Sequence, residues 1–355
     1  MKHLIASLAV FVCLTGPALR AQGPGEPPDF QVTPAERVQA IEGTIAKLHE
    51  VYVFPETATK MEAALRARLA NREYDAITSA RAFAEKLRAD LVEVSRDKHL
   101  NVRYFAGGVP DLRGDEPPPE EQAEQRAYLK RVNYGFEKVE RMAGNVGYVE
   151  IRGFVPPALG GETASAAMTM VANADALIVD LRRNGGGEPA MIAYVTSYLF
   201  DEPTHLNDIY DRARDRTDQY WTVPHVPGQR FGGEKPVFVL TSKETFSGGE
   251  EFAYNLKNLG RATIVGEVTG GGAHPVRLVK VAERFGVGIP FARAVSPITK
   301  TNWEGTGVTP HIAVQAPEAL DRAYTLALEK VADRTTDPRQ KAQLQRLLAE
   351  RRQKD

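Results

Sequence analysis

Cysteine is all but absent. The only one in 355 residues is Cys13, in a stretch that reads as a leader rather than as fold. Lys2 and His3 precede an apolar run from Leu4 to Leu14, followed by Gly16-Pro17 and small residues up to Ala21. That pattern is a secretory signal peptide over residues 1–21, with an apolar run too short to span a bilayer. The residues before Cys13 do not make a lipoprotein acceptor site. A chain cut after Ala21 holds no cysteine, which excludes a disulfide framework, a thiol nucleophile and a cysteine-based zinc site.

An excess of one charge is lacking too. Lys and Arg number 45 against 46 Asp and Glu, a formal charge of −1, and losing Lys2 and Arg20 with the leader takes it to −3. There is no electrostatic case for nucleic acid or an anionic membrane surface. No later run is long and apolar enough for a membrane span, so the expected product is soluble and exported, periplasmic or secreted. His205, His225, His274 and His311 are scattered, and no H-E-x-x-H or comparable pair exists, so no metal site is expected. The glycine runs fit neither a P-loop nor the G-x-G-x-x-G dinucleotide pattern, and no cofactor is expected.

What is present is ordinary globular material, 43% hydrophobic and 26% charged, in a length that suggests two domains. Residues 22–32 are rich in Gly and Pro and read as a tether. Thr33-Pro34-Ala35-Glu36 combines an N-cap, a proline at the first helical position and a capping box. Three amphipathic helices follow, carrying Ile41, Ile45 and Leu48, then Met61 and Leu65, then Phe83, Leu87 and Leu91. They predict a small helical N-terminal domain over 22–94. At Ser95-Arg96-Asp97-Lys98-His99 the pattern changes and a strand begins near His99. Residues 106–126, rich in Pro, Gly and Glu, read as a loop or linker. A hairpin is expected around Ala143-Gly144-Asn145, and residues 201–235 as a long surface excursion. An α/β domain thus spans 95–316. The C-terminal helical tail, 317–355, has a last helix open to fraying.

The α/β domain is organised around Pro236–Gly272. An apolar strand from Val237 leads through a turn to Ser247-Gly248-Gly249, then to a helix with Phe252 and Leu256 on one side and Gly260 beyond its end. The strand from Ala176 to Leu181 leads in the same way into Asn184-Gly185-Gly186-Gly187 and a helix opened by Pro189. Two such units place their turns side by side at the carboxyl edge of a parallel sheet, where open α/β folds bind ligands. Ser247 is then either a helix N-cap or a nucleophile, with glycine amides such as those of Gly186 and Gly248 as an oxyanion hole. Serine needs a base, itself oriented by a third group.

Five motifs stand in order: Ser95–His99 (S-x-D-x-H), Asp180–Gly187 (D-L-R-x-N-x-G-G), Thr241–Glu250 (T-S-x-x-T-x-S-x-x-E), Gly260–Thr269 (G-R-A-x-x-x-G-E-x-T) and Glu304–Pro310 (E-G-x-G-V-x-P). Together they resemble the serine peptidase family of C-terminal processing proteases and the tricorn core, over about residues 35–316. The resemblance looks strongest to the branch of the interphotoreceptor retinoid-binding protein. It implies a ClpP- and crotonase-like spiral of ββα units. In the processing branch the base is a lysine in a Thr-Phe-Gly-Lys-Gly context; here Thr269-Gly270-Gly271-Gly272-Ala273 puts glycine at that position. The tricorn-like branch uses histidine and glutamate, and His99 and Glu304 fill those positions. The resemblance thus implies a triad of Ser247 as nucleophile, His99 as base and Glu304 as its orienting partner, directly or through an intervening polar group, acting on peptides or proteins. A triad run by an ordinary histidine would show an acid limb in rate at about pH 6 to 7. Lys98 replaces the serine beside the tricorn histidine, and His311 replaces the usual aspartate after Val-x-Pro. The interval from Phe105 to Tyr134 is too short for the processing proteases' PDZ domain. The alternative is a non-catalytic module binding retinoid-like or fatty-acid-like apolar ligands. Oligomeric state is not legible.

Overall fold

The computed structural model describes residues 28–109 and 119–352; the leader and Cys13 lie outside the described residues. The first helix, α1 (Pro34–Val51), starts as the sequence predicts: Thr33 Oγ1 accepts the Glu36 N–H, and the Glu36 carboxylate reaches back to the Thr33 N–H. Helices α2 (Pro55–Ala70) and α3 (Ala80–Ser95) follow, the second capped by Ser79. Arg96, in a left-handed conformation at φ 61°, ends α3 and turns the chain towards Asp97 and His99.

The apolar stripes of these helices bury Ile41, Leu48, Met61, Phe83 and Leu87, but not only against one another. They also cover a three-stranded antiparallel sheet of β1 (Asn101–Tyr104), β10 (Phe285–Pro290) and β9 (Val276–Ala282). Phe285, Val287 and Ile289 belong to the same core as the helices. Each such buried side chain contributes about 1.5–3 kcal/mol, so the helical part is fastened to the α/β part. Gly43 lets α1 lie directly on β9, since a Cβ there would stand 1.9 Å from the Val281 carbonyl oxygen.

The central sheet has six strands in the order β12-β8-β7-β4-β3-β2. They are β12 (Ile312–Ala313), β8 (Thr263–Gly266), β7 (Val237–Thr241), β4 (Ala176–Asp180), β3 (Val146–Ile151) and β2 (Phe136–Met142). Only the predicted hairpin β2–β3 is antiparallel; every other pairing is parallel. Alternation along the strands feeds two cores. Leu177, Val179, Val237 and Val239 face Ala164, Met168, Ile192 and Phe252 on helices α5 (Pro157–Val171), α6 (Pro189–Thr196) and α7 (Gly248–Asn258). Ala176, Ile178, Phe238 and Leu240 face α8 (Ala319–Arg334) and α9 (Pro338–Arg352). This is the expected α/β class, with helices on both faces of a largely parallel sheet.

Two expectations need correction. The end of the stretch read as loop, 106–126, is helical: α4 spans Pro119–Arg131, where Glu, Gln and Ala follow the prolines and favour helix. The last helix is not a frayed tail, because Leu344 and Leu348 are buried in the core beneath the sheet. The excursion at 201–235 contains a hairpin, β5 (His205–Asp211) and β6 (Arg216–Trp221), with β11 (Ala292–Val295) on its other edge.

Candidate active site

Strands β4 and β7 are neighbours, so their carboxyl-end turns meet as predicted. Side chains and backbone sew the two turns together. Ser242 Oγ donates to the Arg182 carbonyl (2.5 Å), Thr245 Oγ1 to the Leu181 carbonyl (2.7 Å) and the Phe246 N–H to the Asn184 carbonyl (3.0 Å). A Cβ on Gly186 would lie 2.9 Å from Ser247 Cβ, and one on Gly248 would lie 2.8 Å from Gly187 N. Only glycines permit this approach.

Ser247 sits at the N-terminus of α7 with φ 52° and ψ −119°. Holding a side-chain-bearing residue there costs on the order of 1–3 kcal/mol, and such strain clusters at functional sites. Ser247 and Glu250 stand as a capping box, in which the Glu250 carboxylate accepts the Ser247 N–H at 2.9 Å. Gly186, predicted as an oxyanion donor, has its N–H bonded to Asn184 Oδ1 (2.9 Å). The neighbouring Gly187 N–H and the Gly248 N–H have no hydrogen bond among the described residues.

His99 follows the αL turn and is held by Asp97, whose Oδ1 accepts the His99 N–H at 3.0 Å. Its ring lies on Phe246, the residue before Ser247, with centroids 4.6 Å apart. The side chain is 7% exposed, and neither ring nitrogen has a hydrogen-bond partner. The His99 ring thus packs on the residue before Ser247, and no hydrogen bond joins it to Ser247. Burial pushes the imidazole down to about 4; Asp97, with Oδ1 3.8 Å from Nδ1, draws it back only in part, and His274 pushes it down further. The acid limb at pH 6 to 7 is an expectation this environment does not support, because sequence shows a histidine but not its loss of water.

Gly272, at the position the processing branch gives to lysine, abuts that ring. A Cβ there would stand 2.5 Å from His99 Cε1 and 2.3 Å from Phe246 Cζ. His99 fills the space a side chain at 272 would need, so the two kinds of base exclude one another here.

Glu304 does not touch His99. Its Oε2 accepts the Ala273 N–H (2.6 Å) and lies 3.4 Å from His274 Nδ1, while Oε1 is buried without a partner. His274 was the histidine that sequence reading left among the scattered ones. It is 3% exposed, and its Nδ1 lies 2.7 Å from Asp97 Oδ2, which also accepts from the Tyr52 hydroxyl at 3.2 Å. The available signal was its place two residues after Gly272. Asp97, His274 and Glu304 each bring a ligand-type atom within 4.8 Å of the others. Tetrahedral zinc ligands stand about 3.3 Å apart, so the 2.7 Å contact is that of a hydrogen-bonded pair.

Comparison with known proteins gives the family and the fold. Residues 145–314 match peptidase family S41, and residues 34–137 match the N-terminal domain of that family in eukaryotic IRBP. Both matched regions belong to peptidase family S41. The chain is similar to the carboxy-terminal processing protease CtpB of Bacillus subtilis (strain 168), 22% identical over 225 residues, which are 62% of this chain and 45% of that protein. The match thus spans under half of that relative's length. Among solved structures, a candidate peptidase of Parabacteroides merdae ATCC 43184 superposes with a TM-score of 0.58 at 18% identity, covering 82% of this chain and 97% of the other. The tricorn protease gives 0.51 at 14% identity, over 90% of this chain and 37% of its own. These likenesses establish the S41 fold. Among the described residues, no helix is long and apolar enough to cross a membrane.

Proposed function

We propose that the chain is an exported serine peptidase that cleaves peptide or protein substrates through an acyl-enzyme. The observation behind this reading is Ser247, strained at a helix N-terminus and following Phe246, on whose ring lies a buried histidine with both ring nitrogens unbonded. His99 takes the hydroxyl proton as Ser247 Oγ bonds to the substrate carbonyl carbon. The N–H groups of Gly187 and Gly248, at the positive end of α7, receive the oxyanion. The His99 proton then passes to the leaving amine as the C–N bond breaks, and water repeats the sequence to release the acid. The hydrogen bond between Oγ and His99 forms on substrate binding; catalytic hydrogen bonds are often long in free enzymes. Glu304 acts without touching His99.

The test is labelling of the full chain with a fluorophosphonate. Wild type should label, while Ser247→Ala and His99→Ala should lose labelling by at least about 10³-fold. Persistent labelling of Ser247→Ala would overturn the assignment. No labelling together with uptake of a fluorescent retinoid or fatty acid would favour the apolar-ligand module. Export is tested by sequencing the N-terminus of secreted material, expected at Gln22.

A further inference from the structure

The proposed triad leaves a gap, since Glu304 has no contact with the histidine it should serve. The gap is bridged by groups on three separate stretches. From the turn after α3, Asp97 presents Oδ1 to the His99 main-chain N–H and Oδ2 to His274 Nδ1. His274 comes from the segment after the glycine run, and its Nδ1–H faces both Asp97 Oδ2 (2.7 Å) and Glu304 Oε2 (3.4 Å). Glu304 is anchored by the Ala273 N–H, so the carboxylate cannot swing away without breaking that bond. Tyr52 on the loop after α1 closes the group over Asp97, and the Phe54 ring stands edge-on to His274 with centroids 5.3 Å apart.

We infer that His274 is a positioning residue of the hydrolytic site: it joins Glu304 to Asp97, which in turn holds His99. This rests on the reading of Ser247 and His99 as nucleophile and base. The arrangement gives Glu304 the role of setting the charge next to the base rather than of bonding to it. Two buried carboxyls flank one imidazole; burial pushes Glu304 up to about 7, so the net charge is −1 only above that pH and with His274 keeping its proton. Burial opposes that proton, but Asp97 and Glu304 hold it, raising His274 above the ordinary histidine range, while Arg293 works against it. Burial keeps the His99 base unprotonated, and the His274 cation adds to that effect against the pull of Asp97. The groups facing His99 are Asp97 from its own turn, His274 from the far side, and the apolar Phe246 ring.

The experiment follows the fluorophosphonate labelling rate against pH for wild type, Ser247→Ala, His274→Gln and Glu304→Gln. In His274→Gln the neutral amide no longer opposes protonation of His99, so the acid limb should move up by about one pH unit. The rate at pH 7 should fall at least tenfold with the unfolding midpoint monitored alongside. A merely structural histidine would lower stability and leave the limb in place. Should either variant fail to fold, the Ser247→Ala protein labelled with ¹³C-histidine gives a second reading. There the His99 ring signal should show an extra inflection at the pH where His274 loses its proton. A folded His274→Gln with unchanged limb and rate overturns the inference, as does a His99 signal with a single inflection. If Ser247→Ala itself still labels, the serine assignment has failed instead, and the two failures are separable.

Discussion

Glu250 and Glu251 are neighbours in sequence, share the first turn of α7 and are both buried, at 0% and 5% exposure. Their surroundings are opposite. Glu250 receives the N–H groups of Ser247 (2.9 Å), Gly271 (2.6 Å) and Gly272 (2.8 Å) and the Thr269 hydroxyl (2.5 Å). Glu251 faces the other way, towards Asn207 and Glu188, with the Asn207 amide as the donor beside its carboxyl and the Glu188 carboxyl reinforcing its burial. Burial alone therefore does not say what a carboxylate does. Burial raises both, Glu250 to about 7 and Glu251 to about 8, and it is the donors gathered on Glu250 that make it a clamp.

The connected side should yield the largest effect. Removing the Glu250 carboxylate strands three backbone N–H groups and a hydroxyl around the nucleophile and the glycine run. Glu250→Ala is expected to cost about 3–5 kcal/mol, read from the urea midpoint, and to abolish labelling. A variant with near-native midpoint and labelling would erase the distinction between the two glutamates.

Gly272 belongs to the same side, because it gives its N–H to Glu250 while its missing side chain leaves room for His99. Gly272→Ala forces His99 or Phe246 to move. The expected cost is about 1–3 kcal/mol in stability, with a rate loss much larger than that destabilisation accounts for. Equal labelling by a folded Gly272→Ala protein would show that the His99 ring position in this structure is not the working one. Thr269 gives a smaller test. Its hydroxyl donates to Glu250 and accepts the Val308 N–H at 2.7 Å. Thr269→Val should cost about 1–2 kcal/mol, and no loss would mean that Glu250 does not depend on its full set of donors.

The connected side was largely legible in the sequence, and the other side was not. Ser247, the glycine turns and the parallel neighbours β4 and β7 follow from local signals: apolar strands, glycines at the turn, a helix after each. The capping box at Thr33 and the Ser79 cap were equally local. His99 was placed at the cleft by resemblance, but its desolvation depends on Phe246 and Gly272, about 150 residues away. His274 was passed over because its partners Asp97 and Glu304 lie 177 and 30 positions distant, and nothing in a scattered histidine announces a buried ion group. The α4 helix is masked in the sequence by the prolines that precede its Glu- and Gln-rich stretch. Glu251 offered no signal at all, since an acidic residue in the first turn of a helix is ordinarily exposed and favourable there.

Glu251→Gln is therefore the smallest test and the one with the opposite sign. Burial pushes the Glu251 carboxyl from an ordinary 4.5 up to about 8, opposed by the Asn207 amide and reinforced by Glu188. Between those values the folded protein holds a proton that the unfolded chain has released. Stability is then full below about pH 4.5 and falls as pH rises through 8. Glutamine keeps the shape without the titration. Glu251→Gln should match wild type near pH 4 and exceed it increasingly as pH rises towards 8.5, measured as urea midpoints across pH. A midpoint difference independent of pH would mean that Glu251 is ionised with a partner supplied by solvent. The two neighbouring glutamates would then differ in kind of partner rather than in having one.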